Sequence, residues 1–258
     1  LVALFKIHFI LPLERGESSM TKKIALITGA NRGIGFETAR QLGKRNYTIF
    51  LGARDEKRGK EAESALKKED LDVQFIEISP TDPVSIKTAA QEVQAKFGHL
   101  DVLINNAGVF LKEDLGDPSK VPTDILLETY ETNVFGLHEV TRGFWPLLNK
   151  SKAARLVNVS SALGSLELHA NGSFGDFKVL AYDSSKAAVN MLTIHYAYCW
   201  KDTPHRANAI HPGSVKTDMN QNGEISLEEG AKTSVELAVI PDNGPNGKFF
   251  HLGQMLPW

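Results

Sequence analysis

From residue 23 onward, short runs of β-branched and apolar residues alternate with longer stretches of helical period. This alternation is the strongest constraint on the fold. Strands separated by helix-length connections pair in parallel, and the crossovers cover both faces of one sheet. The runs are KIALIT, YTIFLGA, VQFIEI, LDVLINNAG, ARLVNVS, RANAIHPG and GKFFHLG, which predict a doubly wound, parallel, seven-stranded α/β sheet. Helices are expected over 34–45, 56–69, 83–97, 123–149, 181–200 and 227–239, several of them opening at a Ser, Thr or Asp cap. No repeat or long linker divides the chain, so residues 21–258 read as a single domain.

The chain has 258 residues, 42% hydrophobic and 23% charged, which is enough apolar material for a sizeable core. Twenty-nine basic residues against thirty-one acidic ones give a formal charge of -2, so no global field points to nucleic acid or an anionic membrane as a partner. The single Cys199 cannot form an internal disulfide, and a reducing, cytoplasmic setting is the expectation. Its context, YAYCW, reads as a packed helix rather than an activated thiol. The apolar start LVALFKIHFILPL is too short to span a bilayer, is interrupted by Lys6 and His8, and lacks a small-residue cleavage pattern. The preferred reading places the natural start at Met20, with residues 1–20 as a leader segment. An interfacial anchor and a secretory signal are the alternatives.

TGANRGIG, Thr28 to Gly35, follows the first strand and opens the first helix. Gly29, Gly33 and Gly35 let the turn tighten, so that the backbone around Asn31, Arg32 and Ile34 can approach a pyrophosphate at a helix N-terminus. A plain tight βα connection is the competing reading, and the context of strand before and helix after favours the nucleotide. The second strand ends in LGARD, where Arg54, together with Arg32 of the turn, offers guanidiniums to a ribose phosphate. Asp55 is the rival, since a carboxylate there would accept from a ribose 2′-hydroxyl. Because Arg54 precedes it and Ala53 holds the strand end, NADP(H) is expected over NAD(H). Lys57 and Arg58 read as a solvated charge cluster.

AYDSSKAAVN places Tyr182 and Lys186 four positions apart, on one face of a helix. Taken in order, the glycine turn, NNAG from Asn105 to Gly108, NVSS from Asn158 to Ser161, Tyr182-x-x-x-Lys186 and PGSVKTDM from Pro212 resemble the short-chain dehydrogenase/reductase family, in particular its carbonyl-reductase-like members. The resemblance runs from about Lys22 to the C-terminus and implies a Rossmann sheet that binds a nicotinamide dinucleotide. It further implies that Tyr182 exchanges the proton, that Lys186 lowers the phenol pKa from its usual value of about 10 and reaches the nicotinamide ribose, and that Ser161 holds the substrate oxygen. Asn133, in ETNVFG, would hold a water in a proton path to Lys186; helix capping or helix bending is its competing role. Asn106, Ala107 and Gly108 would line the adenosine ribose, while Asn105 bonds the central strands. Pro212, Gly213, Val215 and Thr217 would contact the cofactor, although Thr217 could instead cap a short helix. His195, His205 and His211 lack metal-ligand spacing, and no metal site is expected.

Two departures qualify the carry-over. Where the family places an Asp after the third strand to meet the adenine, EISPTDP offers Ser79, followed by Pro80, with Asp82 as a substitute. Ser161 and Tyr182 are also further apart than usual, and the intervening LELHANGSFGDFK reads as a loop in which Phe174, Phe177 and Leu168 either wall the substrate or pack the insertion. The function implied is reversible, NADPH-dependent reduction of a ketone or aldehyde, a small-molecule partner. A non-catalytic nucleotide-binding regulator on the same fold is the alternative, and a membrane-anchored enzyme would depend on residues 1–13. Homo-oligomers through helices 123–149 and 181–200 are common in the family, though apolar helical faces also serve the core.

Overall fold

In strand β1, Ile24–Ile27, all four side chains are buried. Ala25 and Ile27 join one apolar core, and Ile24 and Leu26 the other. Period-two alternation with both faces covered is why such strands are apolar throughout. The computed structural model describes residues 22–258. The expected leader and the proposed start at Met20 lie outside the described residues.

The other parallel strands are β2 (Thr48–Ala53), β3 (Val73–Glu77), β4 (Val102–Asn105), β5 (Arg155–Val159), β6 (Arg206–Ile210) and β7 (Phe249–His251). Their order is β3-β2-β1-β4-β5-β6-β7. The seven expected strands are thus present, but the strand count needs correcting. A short β8, Gln254–Met255, pairs antiparallel with β7 and makes the sheet eight-stranded. Two residues after a turn carry too little pattern to show in sequence. Helices α1 (Gly33–Gly43) and α8 (Leu227–Ala238) cover one face, while α3 (Pro83–Phe97) and α5 (Leu137–Leu148) cover the other. The strand order reverses between β1 and β4, and ligands of doubly wound sheets bind beyond the strand ends at that point.

Local signals set most helix boundaries. Asp55 caps α2, Glu56–Lys67, by accepting from Arg58 N, and Asp82 caps α3 by accepting from Val84 N. The stretch expected as one helix over 123–149 is instead α4 (Thr123–Tyr130), a π-helical segment (Glu131–Gly136) and α5. The insertion expected to be loop contains a short α6, Leu166–Ala170, capped by Ser165. Cys199, expected to be packed, is exposed at the end of α7, Leu180–Cys199, and the buried neighbour is Trp200. Among the described residues no helix is long and apolar enough to cross a membrane.

Candidate active site

At the end of β1 the chain turns through Gly29 and Gly33, both left-handed, with φ of 63° and 59°. A Cβ on Gly29 would stand 3.1 Å from Ala107 Cα, so the turn closes directly onto the end of β4. Asn106 fastens the two: its Nδ2 donates to Thr28 O and Gly29 O at 2.9 and 3.2 Å, and its peptide N–H donates to Thr28 Oγ1 at 3.0 Å. The Asn106 side chain therefore shapes the turn, and the Ala107 peptide N–H joins it by donating to Thr28 Oγ1 at 3.0 Å. Gly35 lies behind the turn, where a Cβ would meet Asn106 Nδ2 at 2.5 Å and Gly29 O at 2.7 Å.

The turn forms one end of a cleft of about 880 Å³. Every residue expected to bind cofactor lines it except Gly35, as do Ser161, Tyr182 and Lys186, whereas Asn133 does not. Arg54 is exposed at the mouth, and its rival Asp55 is occupied as the α2 cap. Arg32 Nη1 donates to Asp218 Oδ2 at 2.6 Å, linking the turn to the loop after β6. Thr217 lines the cleft and also accepts from Asn220 N at 3.2 Å, so both of its expected roles are compatible with its place. Asp82, held by α3, is no substitute for an adenine carboxylate; Ser79 and Thr81 stand in the wall instead, their hydroxyls 3.2 Å apart.

At the other end, Ser161 closes β5 and Tyr182 lies in the first turn of α7. Burial pushes the Tyr182 phenol up to about 12, opposed by the influence of the Ser161 hydroxyl. Lys186 is buried, its ammonium brought down to about 8 by desolvation. Its Nζ donates to Val159 O at 2.8 Å and stands 5.5 Å from the centre of the Tyr182 ring. The expected lowering of the phenol pKa by this ammonium is not what the protein alone provides. Desolvation outweighs a cation that sits over the ring and is bonded to a carbonyl. Both Ser160 and Ser161 line the cleft, but Ser160 Oγ donates to Lys186 O.

Asn133 is the centre of the π-helical segment. Its Oδ1 accepts from Val109 N at 2.8 Å, while its Nδ2 donates to Val109 O and to Ser185 Oγ. These bonds tie the segment to the loop after β4 and to α7, and π-turns of this kind are frequent beside functional sites. Asn105 Nδ2 donates to Thr141 Oγ1 and Asn158 Oδ1, and Asn158 Nδ2 donates to Thr193 Oγ1. This buried ladder joins α5 and α7 through β4 and β5, and sequence showed only its Asn105 rung.

Residues 23–226 match the family model for short chain dehydrogenase. The chain belongs to the short-chain dehydrogenase family. It is 36% identical over 291 aligned residues to a (+)-neomenthol dehydrogenase of Arabidopsis thaliana, covering 91% of this chain and 98% of that protein. It is 31% identical to carbonyl reductase (NADPH) 1 of Mus musculus, covering 93% of this chain and 100% of the relative. The solved NADPH-bound carbonyl reductase from chicken fatty liver superposes with a TM-score of 0.81 at 28% identity, over 93% of this chain and 100% of the other.

In this short-chain dehydrogenase the substrate end is built by residues that carry no motif. Phe174 and Phe177 of the insertion line the cleft beside Phe110, Leu163, Val179 and Met219; Leu168 does not. The insertion is held from below. His169 Nε2 lies 2.8 Å from Leu163 O and 3.3 Å from Asp183 Oδ2, and its ring packs on Phe174. Burial raises Asp183 to about 6, and His169 works against the shift. Of the three histidines singled out in sequence, His195 is exposed, His205 accepts from Ala154 N, and His211 lines the cleft, burial and His251 lowering it to about 4.

Proposed function

We propose that this oxidoreductase reduces an uncharged, apolar ketone or aldehyde with NADPH, reversibly. The observation that carries the proposal is the presence of Tyr182, Ser161 and Lys186 in the wall of the cleft that begins at the glycine turn. The cofactor is NADP(H): the left-handed glycines leave room for a pyrophosphate, Arg54 has no carboxylate partner among the described residues, and the rival Asp55 is bound to its own helix. The apolar class follows from Phe110, Leu163, Phe174, Phe177 and Met219 at the far end, which offer a charged substrate nothing.

Reduced nicotinamide, when bound, supplies the hydride to the carbonyl carbon. Ser161 Oγ donates to the substrate oxygen and stabilises the charge developing there. Tyr182, kept protonated by burial, gives that oxygen its proton. Lys186 balances the phenolate that remains and, by a path past Asn133, returns a proton to it. A non-catalytic regulator would need no desolvated ammonium beside a phenol, since an ion kept in the interior costs stability. The test is NADPH oxidation against a panel of carbonyl compounds, repeated with NADH. Turnover of apolar ketones with a strong preference for NADPH is expected. No turnover of any member, or equal use of NADH, would overturn the reading.

A further inference from the structure

The helix that carries Tyr182 begins without a cap of its own. Val179, at the N-cap position of α7, makes no side-chain cap bond, although the first N–H groups of a helix need partners. Asp114, far back in the chain, supplies them. One carboxylate oxygen accepts from Ala181 N and the other from Tyr182 N, each at 2.8 Å. Asp114 is 1% exposed. A carboxylate is tolerated so deep because both oxygens take charge-assisted bonds at the positive end of a helix.

The loop around Asp114 grips the same residue a second time. Val109 is fixed through both peptide groups by Asn133, and the next residue, Phe110, packs its ring edge-on against the Tyr182 ring with centroids 5.6 Å apart. Past Asp114, Leu115 bridges Val179 and Gly116 N donates to Lys178 O. Ser161, by contrast, is carried by β5 and receives nothing from this loop. The distance between phenol and serine hydroxyl therefore depends on how firmly the first turn of α7 is held.

We infer that Asp114 is a positioning residue for the reduction, fixing the height of Tyr182 against Ser161 by binding the tyrosine's own peptide N–H. This inference rests on Tyr182 being the proton donor. Without the carboxylate the first turn loosens and the phenol drifts, and a misplacement of about 1 Å costs about 100-fold in rate. Lys186 lies one turn further along, tied to Val159 O, so the cofactor end keeps its shape.

The experiment measures kcat, NADPH affinity by fluorescence titration and Tm for Asp114→Ala and Asp114→Asn, with Tyr182→Phe in parallel. Asp114→Ala is expected to lose about 30- to 100-fold in kcat, with NADPH affinity within about twofold of wild type. Asp114→Asn, which keeps one acceptor oxygen, should fall between. Exchange of the Tyr182 amide proton should quicken in the same order. An inactive Tyr182→Phe beside an Asp114→Ala of full kcat would overturn the inference, as would a loss of NADPH binding in step with kcat, which marks general misfolding. Turnover surviving in Tyr182→Phe would instead defeat the proposed function on which it rests.

Discussion

The two ends of the cleft are built differently. At the cofactor end the work is done largely by backbone: left-handed glycines, a helix N-terminus, and the peptide N–H groups of Asn106 and Ala107, which both donate to the Thr28 hydroxyl. At the substrate end it is done by side chains that meet only in the folded chain, such as Phe110 on Tyr182 and His169 on Phe174. Backbone demands restrict residue type at fixed spacing and leave a motif. A wall needs only apolar bulk from whichever segment passes.

The difference also separates what each end controls. Changes at the chemical centre should act on kcat, at the cofactor end on NADPH, and in the insertion on the carbonyl compound alone. The largest effect of this group is expected for Ser161→Ala, a loss of about 10²–10³ in kcat with NADPH affinity unchanged, read from steady-state and binding data together. A matching loss of NADPH affinity would break the separation. Arg54→Asp should raise the KM for NADPH about 10- to 100-fold, from the lost charge-assisted bond, and leave kcat at saturation near wild type. Phe174→Ala should raise the KM for an apolar ketone by about threefold to tenfold while leaving that for NADPH unmoved, as expected for part of an aromatic side chain's burial.

Lys186 gives the smallest and most specific signal. Burial holds its folded pKa at about 8, below the ordinary lysine value of 10.5. The unfolded chain therefore binds the extra proton between those limits, and stability rises with pH across them. The cost of the buried ammonium is fully present below about pH 8 and is of the order of 3 kcal/mol. Lys186→Met should thus raise Tm at pH 7, an advantage that shrinks by pH 10, while losing activity. In the wild type, kcat/KM should decline as pH rises through about 8.

Much of this was legible in the sequence for a physical reason. The seven parallel strands and the glycine turn follow from periodicity and glycine spacing, and the placing of Tyr182 and Lys186 on one helix face from helical geometry. Three things were not. The π-helical segment carries Asn133, whose amide reaches both peptide groups of Val109, a contact between residues with no shared motif. The opposed pKa shifts of Tyr182 and Lys186 come from burial, which spacing cannot report. Asp114 sits in KEDLGD, indistinguishable from a solvated loop until the fold brings it beneath α7.

The central claim is that Tyr182 delivers the proton to a carbonyl seated over NADPH. Single-turnover oxidation of bound NADPH by Tyr182→Phe, at saturating apolar ketone, tests it most directly. The account predicts unaltered NADPH binding and a rate reduced about 10²- to 10⁴-fold. A single-turnover rate equal to that of the wild type would contradict it.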